Sequence, residues 1–485
     1  MIPMTLTEIA EVVGARIVGP DGGDARPEEG ELVVDAPVVT DSREVTPGAL
    51  YVARVGETTD GHRFVPAARD AGAVASLTTR PVEGAVCLVV DDVQEAFVAL
   101  SRHVVDTLAA PERGSEALVV VGITGSSGKT STKDLLAHVL RGSGETVAPV
   151  GSLNSEVGVP LTVCRVTGAT RFLVVEMGAR GIGHIEYLTR IAPPRIAAVL
   201  NVGTAHVGEF GSRANIARAK SEIVAALPSA ADGGVAVLTA DDDAVRAMSA
   251  LTPAEVVLVG RAADADLRAI DVRLDDAARP SFTVVAGTEQ VPVVLPLHGV
   301  HHVANALTVL AVARACGVDL AEAAARLRDA VPESRWRMEV STTPGGVTVV
   351  NDAYNANPDS AAAALEALVA MSAGRRTWAV LGAMLELGDE SDAEHARTGA
   401  LARDLGVHRV VAVGETARPV ADGAAGGGTE TTWVPDVDAA EELIRRDTRP
   451  GDVVLLKSSR DAGLRFLGDR VTGRTDTAPT EAPSC

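Results

Sequence analysis

The stretch ALVVVGITGSSGKTSTKDLLAHVL, residues 117–140, constrains the chain more than any other. Four consecutive apolar residues, Leu118, Val119, Val120 and Val121, bounded by Gly122, predict a strand covered on both faces. Leu135, Leu136, Val139 and Leu140 then recur at helical spacing, so the intervening turn leaves the carboxyl end of a strand and opens a helix. Gly125 and Gly128 let that turn approach a phosphate closely, with successive N–H groups and the helix amino terminus directed at the anion. Lys129 adds a point charge for the outer phosphates, and the Thr130 hydroxyl is a candidate Mg²⁺ ligand. The pattern present is the short form G-x-x-G-K-T, with Ile123 where the longer phosphate-loop pattern has glycine.

At 485 residues the chain exceeds one ordinary core, and about 150 residues per domain predicts three domains. No apolar run reaches the ~18 residues of a membrane span, and the opening MIPMTLTEIAEVVGA lacks a basic-then-apolar leader. A cytoplasmic protein without membrane insertion is therefore expected. The formal charge of −21 argues against bulk binding to nucleic acid or anionic membrane, so any anionic substrate needs a focused site. Cys87, Cys164, Cys316 and Cys485 are scattered without a C-x-x-C pair, which indicates neither a disulfide framework nor a zinc site.

Residues 1–112 read as a first, smaller α/β unit. Leu6, Ile9, Val12 and Val13 suggest a helix closed near Gly14, one strand ends at Val39, and another follows the Pro47, Gly48 turn. Just past Val39, Arg43 of the Asp41, Ser42, Arg43 cluster is either a bidentate donor to an anion or a solvated residue of a strand-end turn. Residues 111–115 look like a linker, and residues 113–332 form the unit that carries the phosphate loop. Strands are expected at 172–175 and 196–200; Glu176 ends the first, His206 falls past the second, and Lys220 lies on the next helix. A carboxylate at that strand end would lie near bound phosphates, where Mg²⁺ needs hard oxygen ligands. Singly, Glu176 could cap a helix, His206 could be a satisfied loop histidine, and Lys220 could pair with Glu222 on a solvated face. Together with Thr130 they aim at one crevice.

Residues 333–470 repeat the alternation, with strands near 347–350, 377–381, 410–413 and 453–456 between alanine-rich helical stretches. Residues 471–485 read as a polar, disordered tail. The expected fold class is α/β in three domains. A central phosphate-loop, mostly parallel sheet is flanked by a smaller α/β amino-terminal domain and a doubly wound α/β carboxyl-terminal domain.

An ordered set of motifs resembles the Mur ligases: TDSR with PGALYVA and DGHRF, TGSSGKTS, NSEVGVP, VVEMGARGIGHI, NVGTAHVGEFGSRANIARAKSEI, NDAYNANPDS, LGAMLELGDE and LLKSSRDAGL. The resemblance runs from residue 41 to about residue 467 and implies an ATP-dependent, amide-forming ligase of peptidoglycan precursor synthesis. It implies that Lys129 and the backbone of Gly125, Ser126, Ser127, Gly128, Thr130 and Ser131 hold ATP. Thr130 and Glu176 would bind a first Mg²⁺, and His206 and Lys220 a second, with Lys220 carbamylated by CO₂. Carbamate formation needs a neutral amine, hence a lowered lysine pKa. By the same resemblance Asn305, Arg335 and Asp352 would contact adenosine and phosphates across a domain gap, Asn154 would lie near the nucleotide, and Asp41, Ser42 and Arg43 near the uridine end of the acceptor.

LGAMLELGDE resembles the members that add a dipeptide, which implies UDP-N-acetylmuramoyl-tripeptide and D-alanyl-D-alanine as partners of a monomeric enzyme. The chain lacks the D-N-P-R of members that add diaminopimelate at the third position, the nearest competing reading. Ser155, His302 and Arg465 stand where the family commonly has asparagine, asparagine and glutamate. Those departures leave open a paralogue that joins an altered dipeptide, such as a depsipeptide, or uses another carboxylate. Lys129, Glu176, His206 and Lys220 together argue against a nucleotide-binding regulator without turnover.

Overall fold

Runs of β-branched residues become buried parallel strands in the computed structural model, which describes residues 1–56, 59–204, 207–331 and 333–474. The chain opens with helix Leu6–Val13, whose capping box pairs Thr5 with Glu8 and whose end is turned by Gly14 in the left-handed region. A five-stranded sheet follows in the order Arg16–Val18, Cys87–Val89, Ala75–Thr78, Leu50–Val52, Val38–Val39. Its first pair is antiparallel and the rest are parallel. Helix Val93–Ala109 packs Phe97 and Leu100 into an apolar cluster that runs from Leu50 and Leu77 through to Val163 and Leu173, so this sheet and the next share a continuous core.

The central sheet has nine strands, ordered Glu289–Val294, Pro280–Ala286, Leu267–Leu274, Glu255–Gly260, Val235–Thr239, Ile196–Val199, Val119–Thr124, Thr170–Glu176, Glu145–Val147. From Leu267–Leu274 to Glu145–Val147 every pairing is parallel. Strand Val119–Thr124 sits where the chain order reverses, with Thr170–Glu176 on one side and Ile196–Val199 on the other. In such sheets the crevice outside the strand ends at the reversal point is the natural ligand site. The register sets Glu176 beside Ile123 and Val199 beside Thr124, so the two flanking loops open at the same height as the phosphate loop.

The central sheet is mostly parallel, as expected, and one edge adds an antiparallel meander of Leu267–Leu274, Pro280–Ala286 and Glu289–Val294. Here Phe282 and Val284 alternate with half-buried residues, Val291 and Val293 with exposed ones, and the buried face lies under helices His302–Ala315 and Leu320–Leu327.

The third sheet has six strands, ordered Glu339–Thr342, Thr348–Asn351, Val453–Lys457, Thr377–Leu381, Arg409–Val413, Glu430–Val434. Only the first pairing is antiparallel. Its two faces carry separate apolar clusters, one around Leu365 and Leu368 and one around Trp378 and Leu467, which is the doubly wound arrangement. Among the described residues no helix is long and apolar enough to cross a membrane.

Candidate active site

The phosphate loop is held in shape by contacts from neighbouring strand ends. Gly128 adopts φ 81° as N-cap of helix Lys129–Arg141, and a Cβ there would stand 2.7 Å from Asn305 Oδ1, so only glycine fits. Asn201, at the end of strand Ile196–Val199, braces the loop from the side. Its Oδ1 accepts from the backbone N–H groups of Ser126 and Ser127 at 3.0 Å each, and its Nδ2 donates to Ser127 O at 3.2 Å. The Lys129 ammonium folds back onto Gly125 O at 2.8 Å. Burial lowers its pKa, with Glu176 opposing that shift.

Glu176 is the centre of the polar network. The Thr130 hydroxyl donates to Oε2 at 2.9 Å, and Ser152 Oγ and Asn154 Nδ2 donate to Oε1 at 2.9 and 2.8 Å. Burial alone would raise this carboxyl, but Lys129, the Asn154 amide and Arg337 outweigh it and hold it below its ordinary value. Thr130 and Glu176 thus present hard oxygen atoms side by side, a donor set suited to Mg²⁺ shared with phosphate oxygens. Among the described residues no cluster of three or more His, Cys, Asp or Glu ligands exists.

Lys220 reaches the same cavity from helix Arg213–Ala225. It is 5% exposed and has no hydrogen-bond or ion-pair partner among the described residues. Burial, and secondarily the Lys129 charge, push its pKa down to about 7. The Glu222 pairing considered from sequence is absent, because Glu222 accepts from Gly183 N and Glu186 N. His206 lies outside the described residues.

The third sheet closes the cavity with its own strand ends. Asp352 accepts from Met338 N at 3.0 Å and pairs with Lys457 Nζ at 2.6 Å, and Lys457 also donates to Asn355 O. Asn357 caps helix Pro358–Ser372 and extends Nδ2 to Ser126 O at 3.5 Å, while Asp359 accepts from Thr204 N at 2.9 Å. The resulting space is about 1060 Å³. Its walls include Gly125, Ser126, Ser127, Gly128, Lys129, Thr130, Ser131, Asn154, Glu176, Lys220, Asn305 and Asp352, and Thr40 and Arg54 from the amino-terminal sheet.

Four residues named from sequence stand elsewhere. Arg43 is held by its own neighbour, with Nε and the terminal nitrogen on the two oxygens of Asp41 at 2.9 and 2.5 Å, so Asp41, Ser42 and Arg43 form a turn outside the cavity wall. Arg335 faces helix Leu464–Thr472, where Asp469 takes it at 2.6 Å. Arg337, two residues on, faces inward instead, stacking over Tyr354 at 4.2 Å and donating to Thr130 Oγ1 at 3.2 Å. Sequence reading missed Arg337 and Asn201; only the asparagine's place just past a strand end hinted at its role. His301 and His302 also line the cavity with Nδ1 and Nε2 respectively unpartnered, and burial pushes His301 down to about 4 and His302 well below its usual value, so both are neutral.

Family comparison matches three parts of the chain: "Mur ligase family, catalytic domain" at residues 37–112, "Mur ligase middle domain" at 123–313, and "Mur ligase, glutamate ligase domain" at 336–460. The chain belongs to the Mur ligase family. Within it, the chain is similar to MurF-type members. A Mycobacterium tuberculosis protein named "UDP-N-acetylmuramoyl-tripeptide--D-alanyl-D-alanine ligase" is 44% identical over the whole of both chains, and the Escherichia coli protein of that name is 34% identical over 87% of this chain and 88% of its own. A crystal structure of MurF from Acinetobacter baumannii superposes with TM-score 0.84 at 28% identity, covering 97% of this chain and 99% of that one. MurF from Thermotoga maritima in complex with ADP gives 0.77 at 27% identity, covering 91% and 98%.

Proposed function

We propose that the chain uses ATP to join D-alanyl-D-alanine to UDP-N-acetylmuramoyl-tripeptide in peptidoglycan precursor synthesis, acting in the cytoplasm as a monomer. The tripeptide carboxylate attacks the γ-phosphorus, the bond to the β-phosphate oxygen breaks and ADP leaves. The dipeptide amine then attacks the acyl carbon of the mixed anhydride, phosphate departs and the amine loses its proton. Activation is required because a carboxylate resists attack by an amine.

The observation that carries this reading is the convergence of Lys129, Thr130, Glu176 and Arg337 on one strand-end crevice, with the unpartnered Lys220 amine on its wall. Lys129 and Arg337 stabilise negative charge gathering on the transferred phosphoryl group, from positions fixed in advance. Magnesium held by Thr130 and Glu176, and a second ion held by His206 and carbamylated Lys220, would supply further charge neutralisation there. The carbamate forms as the neutral amine adds to CO₂ and releases a proton, which replaces a buried cation by an oxygen ligand. Asn154 steadies Glu176, Asn305 and Asp352 line the cavity that would take the nucleotide, and Asp41, Ser42 and Arg43, in a turn outside that wall, are assigned to the uridine end of the acceptor.

ADP release is expected to require both the UDP-tripeptide and the dipeptide. ADP formed with neither, or with single amino acids alone, contradicts the assignment. Arg337→Ala is expected to lower kcat/KM for ATP by about 10²-fold, since it removes a charge-assisted donor at the phosphates. A steady-state titration of ATP showing less than a twofold change would remove Arg337 from the mechanism.

Closure of the third unit over the nucleotide is part of the same reading. Gly208 N donates to Glu386 O at 3.3 Å, and a Cβ on Gly208 would stand 2.6 Å from Gly388 N, backbone against backbone. Gly208→Ala is therefore expected to hold the units apart. Small-angle scattering with an ATP analogue and acceptor should show wild-type compaction that the variant lacks; equal compaction of both would contradict closure through this contact.

A further inference from the structure

We infer that Asp134 is a positioning residue for phosphoryl transfer, acting through Arg337 without touching the nucleotide. The inference rests on the proposed ATP chemistry but concerns a part of the chain outside the cavity wall. The segment that joins the central sheet to the third sheet is laid along one face of the phosphate-loop helix Lys129–Arg141. Glu333 pairs with Arg141, Ser334 N donates to Asp134 Oδ2 at 3.0 Å, and Arg337 donates to Thr130 Oγ1 at 3.2 Å. Positions 130, 134 and 141 recur at helical spacing and share a face, so the crossing segment is read in register by the helix that opens at the phosphate loop.

The middle rung is an unusual expense for a connection. Asp134 is 5% exposed and Lys133 1%. Lys133 Nζ stands 2.5 Å from Asp134 Oδ1 as an ion-pair contact and donates to Pro149 O at 2.7 Å, with Ser334 Oγ at 3.5 Å. A buried pair of this kind adds little net stability, and its best-attested use is to fix register.

Register is what the next residues need. Trp336 and Met338, on either side of Arg337, have φ of 58° and 50°, the left-handed region that non-glycine residues avoid. Such conformations persist only when the surroundings over-determine them. Here Ser334 N is held by Asp134, Trp336 N by Glu339 Oε2 at 3.1 Å, and Met338 N by Asp352 Oδ1 at 3.0 Å. Releasing the Ser334 end lets the bracket around Arg337 relax, and the guanidinium loses its place at Thr130. Asp134 does not line the main cavity, so its kinetic effect travels through this segment, whereas the Lys133 charge also helps to hold Glu176 ionised.

The test is a double-mutant cycle in the full-length protein, Asp134→Ala with Arg337→Ala, read as kcat/KM for ATP in ADP release and as affinity for a non-hydrolysable ATP analogue. Asp134→Ala, which removes the acceptor for Ser334 N, is expected to lower kcat/KM by about tenfold, and to add less than about twofold in the Arg337→Ala background. Multiplying effects, or an unchanged kcat/KM in Asp134→Ala, overturn the inference. A second variant, Lys133→Met with Asp134→Leu, removes both buried charges together and avoids leaving either unpaired. The same loss, again absent in the Arg337→Ala background, supports the inference, and wild-type kinetics in that folded variant overturn it. Should wild type release ADP without ligation, the proposed function fails while the analogue-affinity cycle still decides this point.

Discussion

Replacing Lys220 by alanine is expected to lower turnover by about 10³-fold, with added acetate or another short-chain carboxylate restoring part of it. The amine is 5% exposed, has no counter-charge among the described residues, and titrates near neutrality because burial disfavours its charged form. An uncompensated buried ammonium costs desolvation and would repel a metal ion, whereas a carbamate on the same nitrogen brings an anionic oxygen to the same place. The sign of the pH dependence follows. With a pKa lowered to about 7, the reactive neutral amine predominates above that pH and is lost below it. In CO₂-depleted buffer, activity should fall as pH drops through about 7, and added bicarbonate should recover it. Absence of carboxylate rescue, together with wild-type activity indifferent to CO₂, would contradict carbamylation.

Lys129→Ala is expected to cost about 10³-fold in kcat with the protein still folded. Its ammonium rests on Gly125 O at 2.8 Å, at the mouth of the helix whose amino terminus faces the phosphates, and Glu176 favours its charged form against burial. Neither Lys133 nor Lys457 can take over, since Lys133 is committed to Asp134 and Pro149 O and Lys457 to Asp352, while Arg337 already has its own place at Thr130. Single-turnover measurements at saturating ATP analyse the chemical step; a loss confined to KM, with kcat preserved, would mean that Lys129 only binds ground-state ATP.

The local signals of the site were strong in the sequence because they are backbone signals. A buried strand, two glycines and a helix with a lysine at its start define the phosphate loop, and strand ends at Glu176 and Asn351 follow from runs of β-branched residues. The three-unit α/β arrangement was legible for the same reason. The antiparallel meander from Leu267–Leu274 to Glu289–Val294 was not, because its alternating polar residues give no parallel-strand run. The choice between Arg335 and Arg337 was equally hidden: identical in chemistry and two positions apart, they are distinguished by Asp469, over a hundred residues away, and by the positive φ of Trp336. Arg43 shows the converse, since Asp41 at the adjacent strand end captures it locally.

The most direct measurement of the central claim follows ¹⁸O from the terminal carboxylate of UDP-N-acetylmuramoyl-tripeptide during reaction with ATP and D-alanyl-D-alanine, with both products weighed by mass spectrometry. An acyl phosphate formed in the Lys129, Glu176 crevice predicts one labelled oxygen in the released phosphate and a peptide product heavier by the dipeptide less water. Unlabelled phosphate, or ADP released without that product, would contradict the account.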